Sequence, residues 1–236
     1  MDSMADRHDT FILSLGGSLV YPPGGIDIAF LARFNTFIRR QISSKKRRFF
    51  IVVGGGAVMR QYRDAAIAAS HTSIANDDLD WLGVHATRLN AQLLRTIFRD
   101  IADPRVIKHY EIILKISAPL AIAAGWKPGW STDYDAIMLC QDYGVREVIN
   151  ITNVDQVYDR DPNKFPDAKP LVYATWKKYR AMAGDKWSPG LNLPFDPIAS
   201  KLADELGITV KILGGRDLDN LSLALDGKPF RGTTIS

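Results

Sequence analysis

The chain predicts an α/β fold, a three-layer αβα sandwich with a largely parallel central sheet. Three observations carry this expectation. Continuous apolar runs such as residues 49–53 alternate with longer segments at helical spacing, and strands without polar alternation are those covered on both faces. Two of these runs end in glycines, Gly16-Gly17-Ser18 and Gly54-Gly55-Gly56, at the carboxyl ends where open parallel sheets bind ligands. The 236 residues, 46% hydrophobic and 24% charged, suit one large domain that buries its core without disulfides or structural metal.

The elements follow in order. Residues 11–15 read as the first strand. Residues 28–42 place Ile28, Phe30, Leu31, Phe34, Phe37 and Ile38 at helical spacing. Residues 49–53 form a strand, and a helix follows the glycines to about residue 69. Residues 79–101 read as a long helix with Leu82, Ala86, Leu89, Leu93 and Ile97 near one face. Residues 120–124 and 148–151 are buried-type strands that lead into polar loops. Residues 159–169, with Pro162 and Pro166, read as an irregular excursion. Residues 198–206 form a helix closed by Gly207, and 209–213 a strand. No internal repeat or interdomain linker is visible.

Composition narrows the function classes. Cys140 is the only cysteine, and His8, His71, His85 and His109 are scattered, so neither a disulfide nor a thiolate or zinc cage is expected. A reducing, cytoplasmic setting follows. The charge of +4 is mild, and the run Lys45-Lys46-Arg47-Arg48 reads as a solvated helix-to-strand turn rather than a nucleic-acid patch. The N-terminal residues lack the apolar core of a signal peptide. No apolar stretch approaches the roughly 20 residues that span a bilayer.

Glycine junctions let the backbone approach an anion and turn N–H groups toward it, with a helix N-terminus behind. Neither junction matches the Walker or dinucleotide pattern. Two of them suit two phosphates facing each other, hence phosphoryl transfer. GWKPGWSTDYDA gathers Ser131, Thr132, Asp133 and Asp135 at a helix start, where N-capping alone explains one or two of them. ITNVDQVYDRDP carries Thr152, Asn153, Asp155, Tyr158 and Asp161, and FDPIASK places Asp196 as N-cap, Pro197 at the first helical position and Lys201 a turn later.

These runs together resemble the archaeal-type uridylate kinases of the amino-acid-kinase fold, from residue 11 to 235. The matching blocks are LGGSL, VVGGGAVMR, DWLGVHATRLNA, PGWSTDYDA, TNVDQVYDRDPNKFPDAK, DPIASKLA and GTTI. The resemblance implies one domain, with an acceptor-binding part over residues 10–135 and an ATP-binding part over 136–236. It implies ATP-dependent phosphorylation of UMP to UDP, with Mg2+ on the ATP phosphates and a homo-oligomer, hexamer or dimer. Gly16, Gly17 and Ser18 would cover the transferring phosphoryl group. Gly55 would approach the UMP phosphate, and Gly56 and Arg60 the ATP phosphates. Asp80 would accept from the UMP ribose, and Trp126, Lys127, Pro128, Gly129, Trp130, Ser131, Thr132 and Asp133 would wrap the base and phosphate. Thr152, Asn153, Tyr158 and Asp161 would bind the ATP nucleoside, and Lys201 would supply charge to the phosphates.

The chain departs from the pattern in informative places. Ser14 stands where many members of the fold carry lysine, so Lys201, Arg60 or Lys127 would have to carry more of the cationic role. Gln156 replaces a usual glycine. Trp126 and Trp130 stand where small or polar residues are common, either to stack on a base or to fill a pocket. The alternatives are a same-fold kinase for another small phosphate, or a nucleotide-binding or storage protein of that fold without catalysis. The stretch GGGAVMRQYRD lacks the histidine typical of isopentenyl phosphate kinases.

Overall fold

The computed structural model describes residues 9–160, 164–183 and 194–236. The elements run β1 (Thr10–Leu15), α1 (Gly17–Val20), α2 (Ile28–Lys45), β2 (Arg48–Val53), α3 (Gly56–Ala69) and α4 (Asn76–Ile97). They continue through β3 (Ala102–Ile107), β4 (Leu120–Ala123), α5 (Thr132–Tyr143) and β5 (Glu147–Thr152). The remainder is β6 (Val157–Tyr158), β7 (Pro170–Leu171), β8 (Tyr173–Ala174), α6 (Trp176–Ala183), α7 (Pro197–Leu206), β9 (Thr209–Gly214), α8 (Leu218–Leu225) and β10 (Thr233–Ile235). Eight strands make one sheet in the order β3-β4-β2-β1-β5-β9-β10-β8, and β6 and β7 form a separate antiparallel ribbon. Within the main sheet only the β9–β10 pair is antiparallel.

Strand periodicity divides the core into two layers. Leu13, Leu15, Phe49, Ile51, Val53, Ile149 and Ile151 face one way and pack with Phe30, Phe34, Leu94 and Phe98 of the helical side. Ile12, Phe50, Val52, Val148, Val210 and Ile212 face the other way, against Ile137, Trp176, Tyr179 and Phe195. This is the expected αβα sandwich. The chain builds outward from β1 in both directions, with β2 on one flank and β5 on the other. Strand order therefore reverses at β1, and a crevice opens beyond its carboxyl end. Both halves of the chain contribute to this one sheet.

Several expectations shift. Helix α2 runs three residues beyond its expected end and closes on Lys46 at φ 56. Helix α4 starts at Asn76 and buries Gly83, Val84, Thr87, Asn90, Ala91 and Leu94, while Leu89 is exposed. Its inward face is offset from the apolar stripe because Thr87 and Asn90 turn inward to hold loops. The basic run splits. Lys45 and Lys46 are exposed. Buried Arg47 bonds Asp226 at 2.7 Å and the Leu225 carbonyl at 3.0 Å, and Arg48 donates to the Ile116 carbonyl at 2.7 Å. Half of that run is therefore internal structure and not a polyanion surface. Among the described residues, no helix is long and apolar enough to cross a membrane.

Candidate active site

The two glycine loops at the ends of β1 and β2 lie against each other, backbone to backbone. A Cβ on Gly17 would sit 2.1 Å from the Gly56 nitrogen and 2.5 Å from the Gly54 carbonyl. Only glycine fits. The Ala57 N–H donates to the Tyr21 carbonyl at 2.8 Å, and the Gly54 N–H to the Leu15 carbonyl at 2.9 Å, which locks the loops together. Gly55 is right-handed (φ −75, ψ −28) and Gly56 left-handed (φ +70). Successive αR and αL residues turn consecutive N–H groups to one side and form an anion-binding concavity. The N-terminus of α3 stands behind it. Gly16 is fixed by its N–H to the Ile151 carbonyl at 2.7 Å, and Ser18 is half-buried in α1.

Helix α4 holds the second wall. Asp80 Oδ2 accepts the Gly129 N–H at 3.0 Å, and burial raises its carboxyl above the ordinary range. Thr87 Oγ1 accepts the Gly125 N–H at 2.8 Å, and Arg88 donates to the Trp126 carbonyl at 2.7 Å. The same helix reaches the glycine loop, where Asn90 Nδ2 donates to the Gly54 and Gly55 carbonyls at 2.8 and 3.1 Å. The fold brings Asp80 together with residues 126–129 of the segment 126–133 expected to wrap the acceptor. Trp126 is buried, edge-on to Trp130 at 4.5 Å and 6.0 Å from Tyr110. Trp130 in turn meets Tyr134 at 4.2 Å. Trp126 thus fills space between loop and sheet, while half-buried Trp130 keeps a partly open face. Lys127, Pro128 and Gly129 form the rim of this loop.

The opposite face of β1 presents a polar cluster. Ser131 caps α5 by accepting the Tyr134 N–H at 3.1 Å, so Thr132 opens the helix. Asp133 serves no cap. Its Oδ1 accepts the Ser14 hydroxyl at 3.0 Å and its Oδ2 the Asp196 N–H at 3.1 Å. Asp196 caps α7 through Ala199 at 2.7 Å. Burial, with the neighbouring Asp196 carboxylate, pushes the Asp133 carboxyl up to about 7. Asp135 is fully buried, and burial raises its carboxyl well above the ordinary range. Among the described residues, no three His, Cys, Asp or Glu side chains are grouped to hold a metal ion.

The ends of β5 and β9 line the other flank. Thr152 and Asn153 share a 3.2 Å side-chain bond, and half-buried Tyr158 lies in the β6–β7 ribbon. Asp161 lies outside the described residues. Gly214-Gly215 forms a third glycine pair at a strand end. A Cβ on Gly214 would meet Asp155 Oδ1 at 2.3 Å, and one on Gly215 would meet Leu19 and Ile151 at 2.3 and 2.5 Å.

Three cations of the expected site lie at the surface or half-buried. Helix α7 buries Pro197, Ala199, Ser200 and Ala203, so Lys201 falls on the solvent side with Glu205 Oε1 3.9 Å away. Its inward neighbour Ser200 bonds the Asp196 carbonyl at 2.7 Å. Arg60 is exposed one turn into α3. The Lys127 ammonium lies 3.8 Å from the Trp126 ring centre and 4.8 Å from Trp130, with Glu111 at 4.0 Å. It is engaged by the aromatic rings of its own loop, while the partner of Ser14 is Asp133. Sequence reasoning missed Thr87, Arg88, Asn90 and Gly214-Gly215. The last pair repeats the strand-then-glycine signal of the first two loops.

The amino acid kinase family model matches residues 9–107 and 120–214. A uridylate kinase of Thermoplasma volcanium is 33% identical over 97% of this chain and 98% of its own length. One of Methanothermobacter thermautotrophicus is 35% identical over 75% of this chain and 79% of its own. The crystal structure of the Archaeoglobus fulgidus uridylate kinase superposes with a TM-score of 0.80 at 27% identity, covering 97% of this chain and all of that one. The Bacillus anthracis UMP kinase, at 17% identity and TM-score 0.77, shares the fold. With the family model matched over residues 9–107 and 120–214 and a relative 33% identical over 97% of the chain, the chain belongs to the amino acid kinase family.

Proposed function

We propose that the chain transfers the γ-phosphoryl group of ATP to UMP, giving ADP and UDP for pyrimidine nucleotide synthesis. One observation carries the reading: two glycine loops meet backbone to backbone at neighbouring strand ends, and one bears an αR–αL nest. Phosphoryl transfer asks chiefly for positioning and charge stabilisation. The Gly55 and Gly56 N–H groups and the start of α3 supply fixed positive poles for phosphate oxygens. Gly16, Gly17 and Ser18 would face the ATP phosphates, with Arg60 at the rim. Asp80 and residues 126–133 would hold UMP. Thr152, Asn153, Tyr158 and Gly214-Gly215 would hold the ATP nucleoside. The acceptor part of the chain is thus residues 10–135 and the ATP part 136–236.

Magnesium fits the donor chemistry of the crevice. Asp133 and Asp196 lie side by side, the Asp196 N–H donating to Asp133 Oδ2 at 3.1 Å, and their carboxylates would hold Mg2+ directly or through water alongside phosphate oxygens. When bound, the ion neutralises charge on the transferring group. Exposed Ile28, Trp81 and Leu89 on α2 and α4 support a homo-oligomer, which light scattering would test. The buried free thiol of Cys140 suits a cytoplasmic setting.

A coupled ADP-release assay across UMP, CMP, AMP and GMP tests the substrate. UMP is expected to be preferred by at least about tenfold, the scale of one lost polar contact. Equal turnover of all four, or none, would refute the reading.

A further inference from the structure

Asn90 lies on α4 at 3% exposure, and its amide nitrogen spends its donors on two successive carbonyls, Gly54 at 2.8 Å and Gly55 at 3.1 Å. A peptide unit is planar and trans, so its C=O and N–H point in opposite directions. Drawing the Gly54 carbonyl toward α4 turns the Gly55 N–H away from it. Drawing the Gly55 carbonyl inward does the same for the Gly56 N–H. The flanking donors are used within the fold, Gly54 N–H by Leu15 and Ala57 N–H by Tyr21. Among the described residues, the Gly55 and Gly56 N–H groups meet no hydrogen-bond acceptor, although both glycines are buried.

Glycine pairs are the least restrained backbone available, so nothing intrinsic to Gly55-Gly56 keeps these peptides from flipping. A flipped peptide would present a carbonyl oxygen to the phosphate and convert attraction into repulsion. We propose that Asn90 is a positioning residue, whose side-chain amide sets the polarity of the phosphate-binding backbone without touching substrate. The inference rests on the reading that this loop receives phosphate.

The test compares wild type with Asn90→Ser and Asn90→Ala. Calorimetry measures binding of tripolyphosphate, UMP and adenosine, and kcat, KM and the ligand-free melting temperature are recorded beside it. In Asn90→Ala, tripolyphosphate and UMP are expected to bind at least about tenfold more weakly and kcat to fall by roughly 10²-fold, the scale of losing a preorganised donor. Adenosine binding, which reports the β5–β9 flank, should stay unchanged. Asn90→Ser keeps one donor and should fall between. It decides the matter if Asn90→Ala does not fold. A folded variant that binds tripolyphosphate and UMP like wild type would overturn the proposal, as would a wild type that does not bind tripolyphosphate. If wild type binds tripolyphosphate but does not phosphorylate UMP, the proposed substrate fails, and the tripolyphosphate series still decides the role of Asn90.

Discussion

Ser14 places a hydroxyl 3.0 Å from the Asp133 carboxylate where a fold relative would place an ammonium. The consequence is electrostatic. Burial and Asp196 hold the Asp133 carboxyl at about 7 against an ordinary 3.8, so the folded chain binds more protons than the unfolded chain between those values. Stability from this group is therefore present at low pH and declines as pH rises through 7. Ser14→Lys supplies an opposite charge and should lower that carboxyl. Thermal melts from pH 5 to 8 should then flatten by a few degrees, about 1 kcal/mol in a domain of this size. An unchanged slope would show that Asp133 is not the group responsible. Asp80→Ala removes the acceptor of the Gly129 N–H. Losing a buried polar partner costs about 1–3 kcal/mol, so the KM for UMP should rise at least about fivefold. A KM within twofold of wild type would remove Asp80 from the acceptor site. Ser14 was legible in the sequence as a departure, but its partner was not, because Asp133 stands 119 residues away and capping explained its neighbours equally well.

At the scale of elements, helix ends and glycine loops were readable because their chemistry is local. Asp196 caps the helix expected of it, Ser131 is the member of its cluster that caps, and Gly207 closes α7 at φ +63. Faces were less readable. Helix α7 turns small residues inward and leaves Lys201 on its outer side beside Glu205. Lys201→Ala should accordingly change stability by less than about 0.5 kcal/mol, while kcat should fall strongly with a smaller effect on UMP affinity. A kcat within about twofold of wild type in steady-state kinetics would remove it from the phosphates. The apolar stripe on α4 likewise misled, because Thr87 and Asn90 take inward positions as loop anchors. The glycine contact gives a sharper expectation. Gly17→Ala forces a Cβ to within 2.1 Å of the Gly56 nitrogen, and backbone there cannot yield as a flexible side chain would. Turnover should fall by at least about 10²-fold, since small misplacements of reacting groups cost that much. A near-normal rate would show that the two loops need not touch.

Over the whole molecule, the layered fold was legible because five largely apolar strand runs are interspersed with long segments at helical spacing. The short strands β6, β7, β8 and β10 were not, as two or three residues carry too little pattern to separate from a loop. Their pairing is decided by distant partners such as Thr233, whose hydroxyl accepts the Val157 N–H at 2.9 Å. The sheet places both glycine loops, the α4 anchors and the Asp133–Asp196 pair around one crevice beyond β1. That convergence is what makes direct transfer between two bound nucleotides the expected chemistry. Phosphorus NMR of the enzyme with Mg2+, ATP and UMP tests it most directly. UDP and ADP resonances should grow in equal amounts as ATP and UMP decline, with no inorganic phosphate. Loss of ATP to ADP and inorganic phosphate without UDP, or a static spectrum with both nucleotides bound, would contradict it.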